Sequence, residues 1–133
     1  MKSLLKSNVF DTSENIVIVG SCLKDIEPDS FKKLEKISKN IYEVCLEETH
    51  MNMVVTKIIG MLARGKLKNL TFATVDKSPH CIQLHYIVKE LKNMMDLSKI
   101  NITNYVSVDN KLIEIPLEVI GLSKNLSKLK NII

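Results

Sequence analysis

The chain has 133 residues, 45% of them hydrophobic and 26% charged, the balance of a globular domain long enough to bury a core without disulfide staples. Its net charge of +4 rests on lysines interspersed with acids and on one arginine, Arg64, while aromatics make up 5% with no Trp. Forked guanidinium groups and stacking rings are therefore scarce, which disfavours nucleic acid as a partner. No apolar run approaches the ~18–20 residues of a membrane span, and the N-terminal MKSLLKSNVF has its apolar run broken by Lys6, Ser7 and Asn8, so the expectation is a cytoplasmic protein without a span.

Residues 1–14 carry Leu4, Leu5, Val9 and Phe10 among polar neighbours and read as a short docking helix or an extended arm. Asn15–Gly20 (NIVIVG) holds four consecutive β-branched residues, the mark of a strand buried on both faces in a parallel sheet. Gly20, Ser21 and Cys22 then turn the chain. From Pro28 and Asp29 an amphipathic helix is predicted with Phe31, Leu34 and Ile37 inward. A second strand follows at Ile41–Leu46, with Cys45 in its apolar run and therefore expected in the core. Glu47, Glu48 and His50 stand at its polar end.

The segment from Met51 places Val54, Val55, Ile58, Ile59 and Leu62 at helical spacing, with Gly65 as its stop; its methionines, like Met94 and Met95, suit core filling. Leu70–Val75 is a third buried strand. Ser78 then fits an N-cap and Pro79 the first helical position of a helix running to about Met95. Ile100–Val108 and Lys111–Ile115 read as strands joined at Asp109-Asn110, a C-terminal hairpin or antiparallel edge. After Pro116, Leu117, Ile120, Leu126, Leu129 and Ile132 predict a closing helical segment over 116–133, interrupted at Gly121.

Alternating strands and helices with short connections predict a single α/β domain over 1–133, a small three-layer Rossmann-like or flavodoxin-like sandwich with a mostly parallel sheet. In such a sheet the C-terminal ends of the strands share one edge, where ligands bind at the switch point between diverging crossovers. With strand order 2-1-3, that edge gathers Ser21 and Cys22, then Glu47, Glu48 and His50, then Asp76, His80 and Cys81, with His85 one helical turn on.

Cys81 stands out, because a thiol in the first turn of a helix faces free N–H groups and the positive dipole end, which favour the thiolate. His80 and His85 are the imidazoles beside it, able to move a proton or ligate a metal. Cys81 and His80 are thus the candidate catalytic pair; Cys22, Cys81 and His85 the candidate metal ligands; and Ser78 and Ser21 the hydroxyls that would hold a bound group. The plain alternative is that free cysteine is among the most buried residue types, and that Ser-Pro-His starts a helix by capping alone. Three widely spaced cysteines argue against a disulfide framework, and no CxxC or HxxxH pair marks a zinc knuckle. With four glycines there is no GxGxxG, P-loop or Gly-x-Ser-x-Gly elbow, so no nucleotide motif is present.

The run Val75-Asp76-Lys77-Ser78-Pro79-His80-Cys81-Ile82-Gln83-Leu84-His85 resembles small α/β proteins of anaerobic bacteria and archaea catalogued near 4Fe–4S ferredoxin-type oxidoreductases. That resemblance implies a redox or iron–sulfur association, with an iron–sulfur cluster or a transition metal as cofactor. The chain departs from the ferredoxin pattern: it has no CxxCxxC, and three cysteines cannot give four thiolates to one cluster, so a histidine or a second subunit would have to complete the set. Three readings stay open. One is a redox-associated Cys/His site serving a redox protein partner or built into a homo-oligomer. Another is an interaction module without chemistry, and the third is an enzyme holding a small anionic substrate at the Ser78–Cys81 helix start.

Overall fold

A computed structural model describes residues 1–7 and 13–133. Val9 and Phe10, expected in the N-terminal arm, lie outside the described residues. The elements run β1 (Lys2–Ser3), β2 (Asn15–Gly20), α1 (Leu23–Ile26), α2 (Pro28–Ile37), β3 (Ile41–Val44), α3 (Met51–Ala63), β4 (Asn69–Val75), α4 (Ile82–Met94), β5 (Asn101–Val108), β6 (Lys111–Glu114), α5 (Leu117–Ser123) and α6 (Leu126–Lys130). The sheet is ordered β1-β3-β2-β4-β5-β6, parallel except for the β5–β6 pair. This is the expected mostly parallel sandwich with an antiparallel edge, and the expected 2-1-3 order of its first long strands.

Why the strands read as unbroken apolar runs follows from the layers. Ile16 and Ile18 of β2 point into one core with Leu70 and Phe72 of β4, covered by Val54, Ile58 and Met61 of α3 and by Leu84, Ile87 and Leu91 of α4. Val17 and Val19 point the other way, into a second core with Ala73, Leu23 of α1, and Phe31 and Leu34 of α2. Because successive side chains alternate faces and both faces are covered, no polar alternation is needed. The chain therefore leaves β2 toward one face and β4 toward the other, although the two strands are neighbours. Their C-terminal ends form the switch point.

Of the two readings of the N-terminal segment the extended arm holds: Lys2–Ser3 adds a short parallel strand to β3, and Leu4 just after it is fully buried. Several other expectations are corrected. The strand β3 ends at Val44, and Cys45 lies beyond it, half-buried rather than in the core. Ile37 is 44% exposed, one position past the inward face of α2. The closing segment runs through Gly121 and breaks instead at Lys124–Asn125, and Leu126 and Ile132 are exposed at 77% and 73% because α6 finds no sheet to cover. Among the methionines, Met61 is core, whereas Met51, Met53 and Met94 are exposed.

At the β5–β6 turn Asp109 and Asn110 have φ of 50° and 60°, the left-handed pair that a tight hairpin needs and that Asp and Asn tolerate. Among the described residues, no helix is long and apolar enough to cross a membrane.

Candidate functional site

Each thiol reaches the sheet edge by its own local route. Cys22 follows the end of β2, in the turn that opens α1. Cys45 follows β3, where its carbonyl accepts bonds from the Thr49 hydroxyl at 2.7 Å and the Thr49 N–H at 3.0 Å, closing a turn that stops the strand. Cys81 follows β4 in a turn over 79–81. There the Ser78 hydroxyl accepts the Cys81 N–H at 3.2 Å and the Ser78 carbonyl accepts the Ile82 N–H at 3.3 Å, closing the turn; α4 itself begins at Ile82 with Cys81 as its N-cap residue, three residues later than the start expected at Pro79.

These turns enclose a cavity of about 90 Å³ at the switch point. Ser21 and Cys22, Cys45 and Glu47, and Ser78, His80 and Cys81 line it, over a floor that includes Gly20, Val44 and Leu84. The sulfurs of Cys22 and Cys81 are 3.6 Å apart, in contact although they are 59 positions apart in the chain. All three cysteines are free and half-buried. The Cys22 thiol is pushed up to about 11, first by burial and then by its hydrogen bond and electrostatic coupling to Cys81, with a smaller contribution from Cys45. It is therefore a thiol, not a thiolate, at neutral pH.

The structure brings together Ser21, Cys22, Glu47, Ser78, His80 and Cys81 of the expected set, and adds Cys45. Cys45 was hidden in an apolar run; the polar stretch Glu47-Glu48-Thr49 directly after it is the one signal that the strand stops short. His50 is exposed at the start of α3 and Asp76 is exposed after β4, both away from the cavity lining.

His85, expected beside Cys81 as a ligand, is turned into the sheet. It is 2% exposed, with Nε2 at 2.8 Å from the Thr74 hydroxyl and Nδ1 at 2.9 Å from Oδ1 of Asn104. Since the amide oxygen only accepts, Nδ1 carries the proton and Nε2 accepts from Thr74. Burial lowers the pKa of this imidazole against the opposing pull of Asn104, so it stays neutral. Both ring nitrogens are engaged, leaving no lone pair for a metal.

Two further chemical limits follow. Two sulfurs of a tetrahedral thiolate site with metal–sulfur bonds of about 2.3 Å lie about 3.8 Å apart, close to the 3.6 Å Cys22–Cys81 spacing. Yet among the described residues no group of three or more Cys, His, Asp or Glu side chains could hold a metal ion. At the Ser78–Cys81 turn an anion would find few donors, since Pro79 has no N–H and the Cys81 N–H is given to Ser78. The cavity is also well below the ~300–1,000 Å³ typical of sites that enclose a larger ligand.

A family model described as a Rossmann-like domain matches residues 10–132. It carries the architecture and no link to ferredoxin-type oxidoreductases. No curated protein and no solved structure matches the chain.

Proposed function

Since the chain belongs to the Rossmann-like domain family, and open α/β sheets receive ligands at their switch point, we propose that this crevice is a redox site in which Cys22 and Cys81 act as a dithiol–disulfide pair. The observation that carries the reading is the 3.6 Å contact between the two sulfurs across the switch point. Closing it to a disulfide bond of about 2.05 Å shortens that contact by about 1.5 Å.

The exchange runs with a disulfide-bearing protein as partner. Cys81 loses its proton and its sulfur attacks one sulfur of the partner disulfide. A mixed disulfide forms and one partner thiolate leaves. Cys22, still protonated because its thiol is raised, gives up its proton as its sulfur displaces the second partner sulfur. The Cys22–Cys81 bond forms, the partner takes two electrons, and the two protons end on its thiols. His80, exposed at the cavity lining, is placed to carry them.

The test is equilibration of the full chain in glutathione buffers, followed by acid trapping and peptide mapping. A Cys22–Cys81 linked peptide that appears and disappears reversibly supports the pair. Persistence of free Cys22 and Cys81 in every buffer would remove it. An iron–sulfur association is the second reading, favoured only by the near-tetrahedral sulfur spacing; with no further ligands grouped there among the described residues, it would draw thiolates from a second chain. Stoichiometric iron and thiolate-to-iron absorption in protein purified without oxygen would replace the dithiol reading with that one.

A further inference from the structure

Gly20 is the last residue of β2, buried and in register with Val44 of β3. Its φ is not in the left-handed region, so the backbone there accepts any L residue. What it lacks is room. A Cβ built on Gly20 would stand 2.8 Å from Sγ of Cys81 and 3.9 Å from its Cβ, with no other atom of the described residues beyond its two chain neighbours within 4 Å. Real Cβ atoms essentially never come closer than 3.0 Å to a neighbour, and ordinary contact begins at 3.4 Å. The hydrogen face of Gly20 is thus the seat on which the Cys81 sulfur rests while it touches Cys22.

Resting on the dithiol reading, we infer that Gly20 is a positioning residue for the thiol pair: its missing side chain holds Cys81 Sγ in the orientation that meets Cys22 Sγ. The sulfur hangs on a single torsion, so a methyl group at position 20 is relieved by turning Cys81 to another staggered rotamer rather than by moving β2. That turn carries Sγ away from Cys22. Reactions between groups held in contact lose large factors when the approach is spoiled by about 1 Å. Gly20→Ala is therefore expected to lower the equilibrium constant for forming the Cys22–Cys81 disulfide against glutathione at least tenfold, about 30 mV for a two-electron couple. The alkylation of Cys81 by a monofunctional reagent should persist.

The experiment measures that equilibrium constant for the full-length wild type and Gly20→Ala, with peptide mapping to confirm which sulfurs join. Alongside it, thermal midpoints are compared for wild type, Gly20→Ala, Cys81→Ala and the double variant. The inference expects the methyl group to cost stability when the sulfur is present and little when it is gone. An unchanged equilibrium constant in Gly20→Ala overturns it. Equal losses of stability from Gly20→Ala in both backgrounds also overturn it, and that comparison decides even where Gly20→Ala folds too poorly for redox work. A wild type that never forms the bond sinks the dithiol reading itself, while the stability comparison still reports on the Gly20–Cys81 contact.

Discussion

His85 shows how an apparent ligand becomes a structural group. Its imidazole joins α4 to two strands through Thr74 and Asn104, and it is kept neutral by burial. The folded pKa is lowered below the ordinary 6.5, so between the two values the unfolded chain binds more protons than the folded one. Stability from this group is full above about pH 6.5 and is lost as pH falls through that window. We expect the urea midpoint to drop between pH 7 and pH 5 more steeply in wild type than in His85→Gln, which keeps polar atoms but does not titrate. Parallel pH profiles for the two proteins would refute the assignment. The thiols make a second test, because a bifunctional trivalent arsenical such as phenylarsine oxide bridges only sulfurs in close contact. Wild type should bind it, and Cys22→Ser and Cys81→Ser should each lose it at least tenfold, while retention in both would separate the sulfurs. Candidate residues were legible here as types: the edge position of Cys22 and Cys81 follows from where strands end, whereas the inward turn of His85 depends on Asn104, 19 residues away on another strand.

The elements hold the site by connecting its turns to distant parts of the chain. Helix α2 starts at Pro28, and its N-cap residue Glu27 makes no side-chain capping bond. The hairpin turn supplies it instead: Oδ1 of Asn110 accepts the Asp29 N–H at 3.1 Å, and the Asn110 N–H is donated to Glu27 Oε2 at 3.0 Å. Asn110→Gly keeps the left-handed turn and removes only the side-chain acceptor, so it should cost about 1 kcal/mol, the ordinary size of a lost cap. Denaturant unfolding would measure it, and an unchanged midpoint would show that water replaces the bond. Ser78 plays the local counterpart in the turn before α4, where its hydroxyl accepts the Cys81 N–H, with Ser78→Ala expected to cost about 1 kcal/mol by the same measure. Of these two bonds, the Ser-Pro turn was readable from the chain. The Asn110 bond was not, since donor and acceptor are 81 positions apart in the chain.

Over the whole domain the switch point is where the two cores part, and a bond across it would tie turns far apart in sequence. With Cys22 and Cys81 59 positions apart, chain-entropy arguments give the oxidised form about 4 kcal/mol more resistance to unfolding, before any strain in closing the bond. Comparing urea unfolding with and without reductant tests this, and an oxidised form no more stable than the reduced one would contradict it. The lack of a GxGxxG or P-loop run predicts that adding nicotinamide dinucleotides leaves the thermal midpoint unchanged, since a ligand that binds only the folded state must raise it.

Local pattern was enough for the layered fold. The double-faced burial of NIVIVG and LTFATV, the helical spacing of Val54, Ile58 and Leu62, and the right-handedness of crossovers leave few other arrangements. Those signals come from backbone repeats, which every residue of an element shares. A two-residue strand such as Lys2–Ser3 has no repeat to detect, and Cys45 changed from core to cavity because pairing with β2 ends one residue before it. The meeting of the Cys22 and Cys81 sulfurs, the seat at Gly20 and the bonds of His85 depend on strand register and helix rotation to within about an ångström, and these are set by packing between segments that no local period encodes.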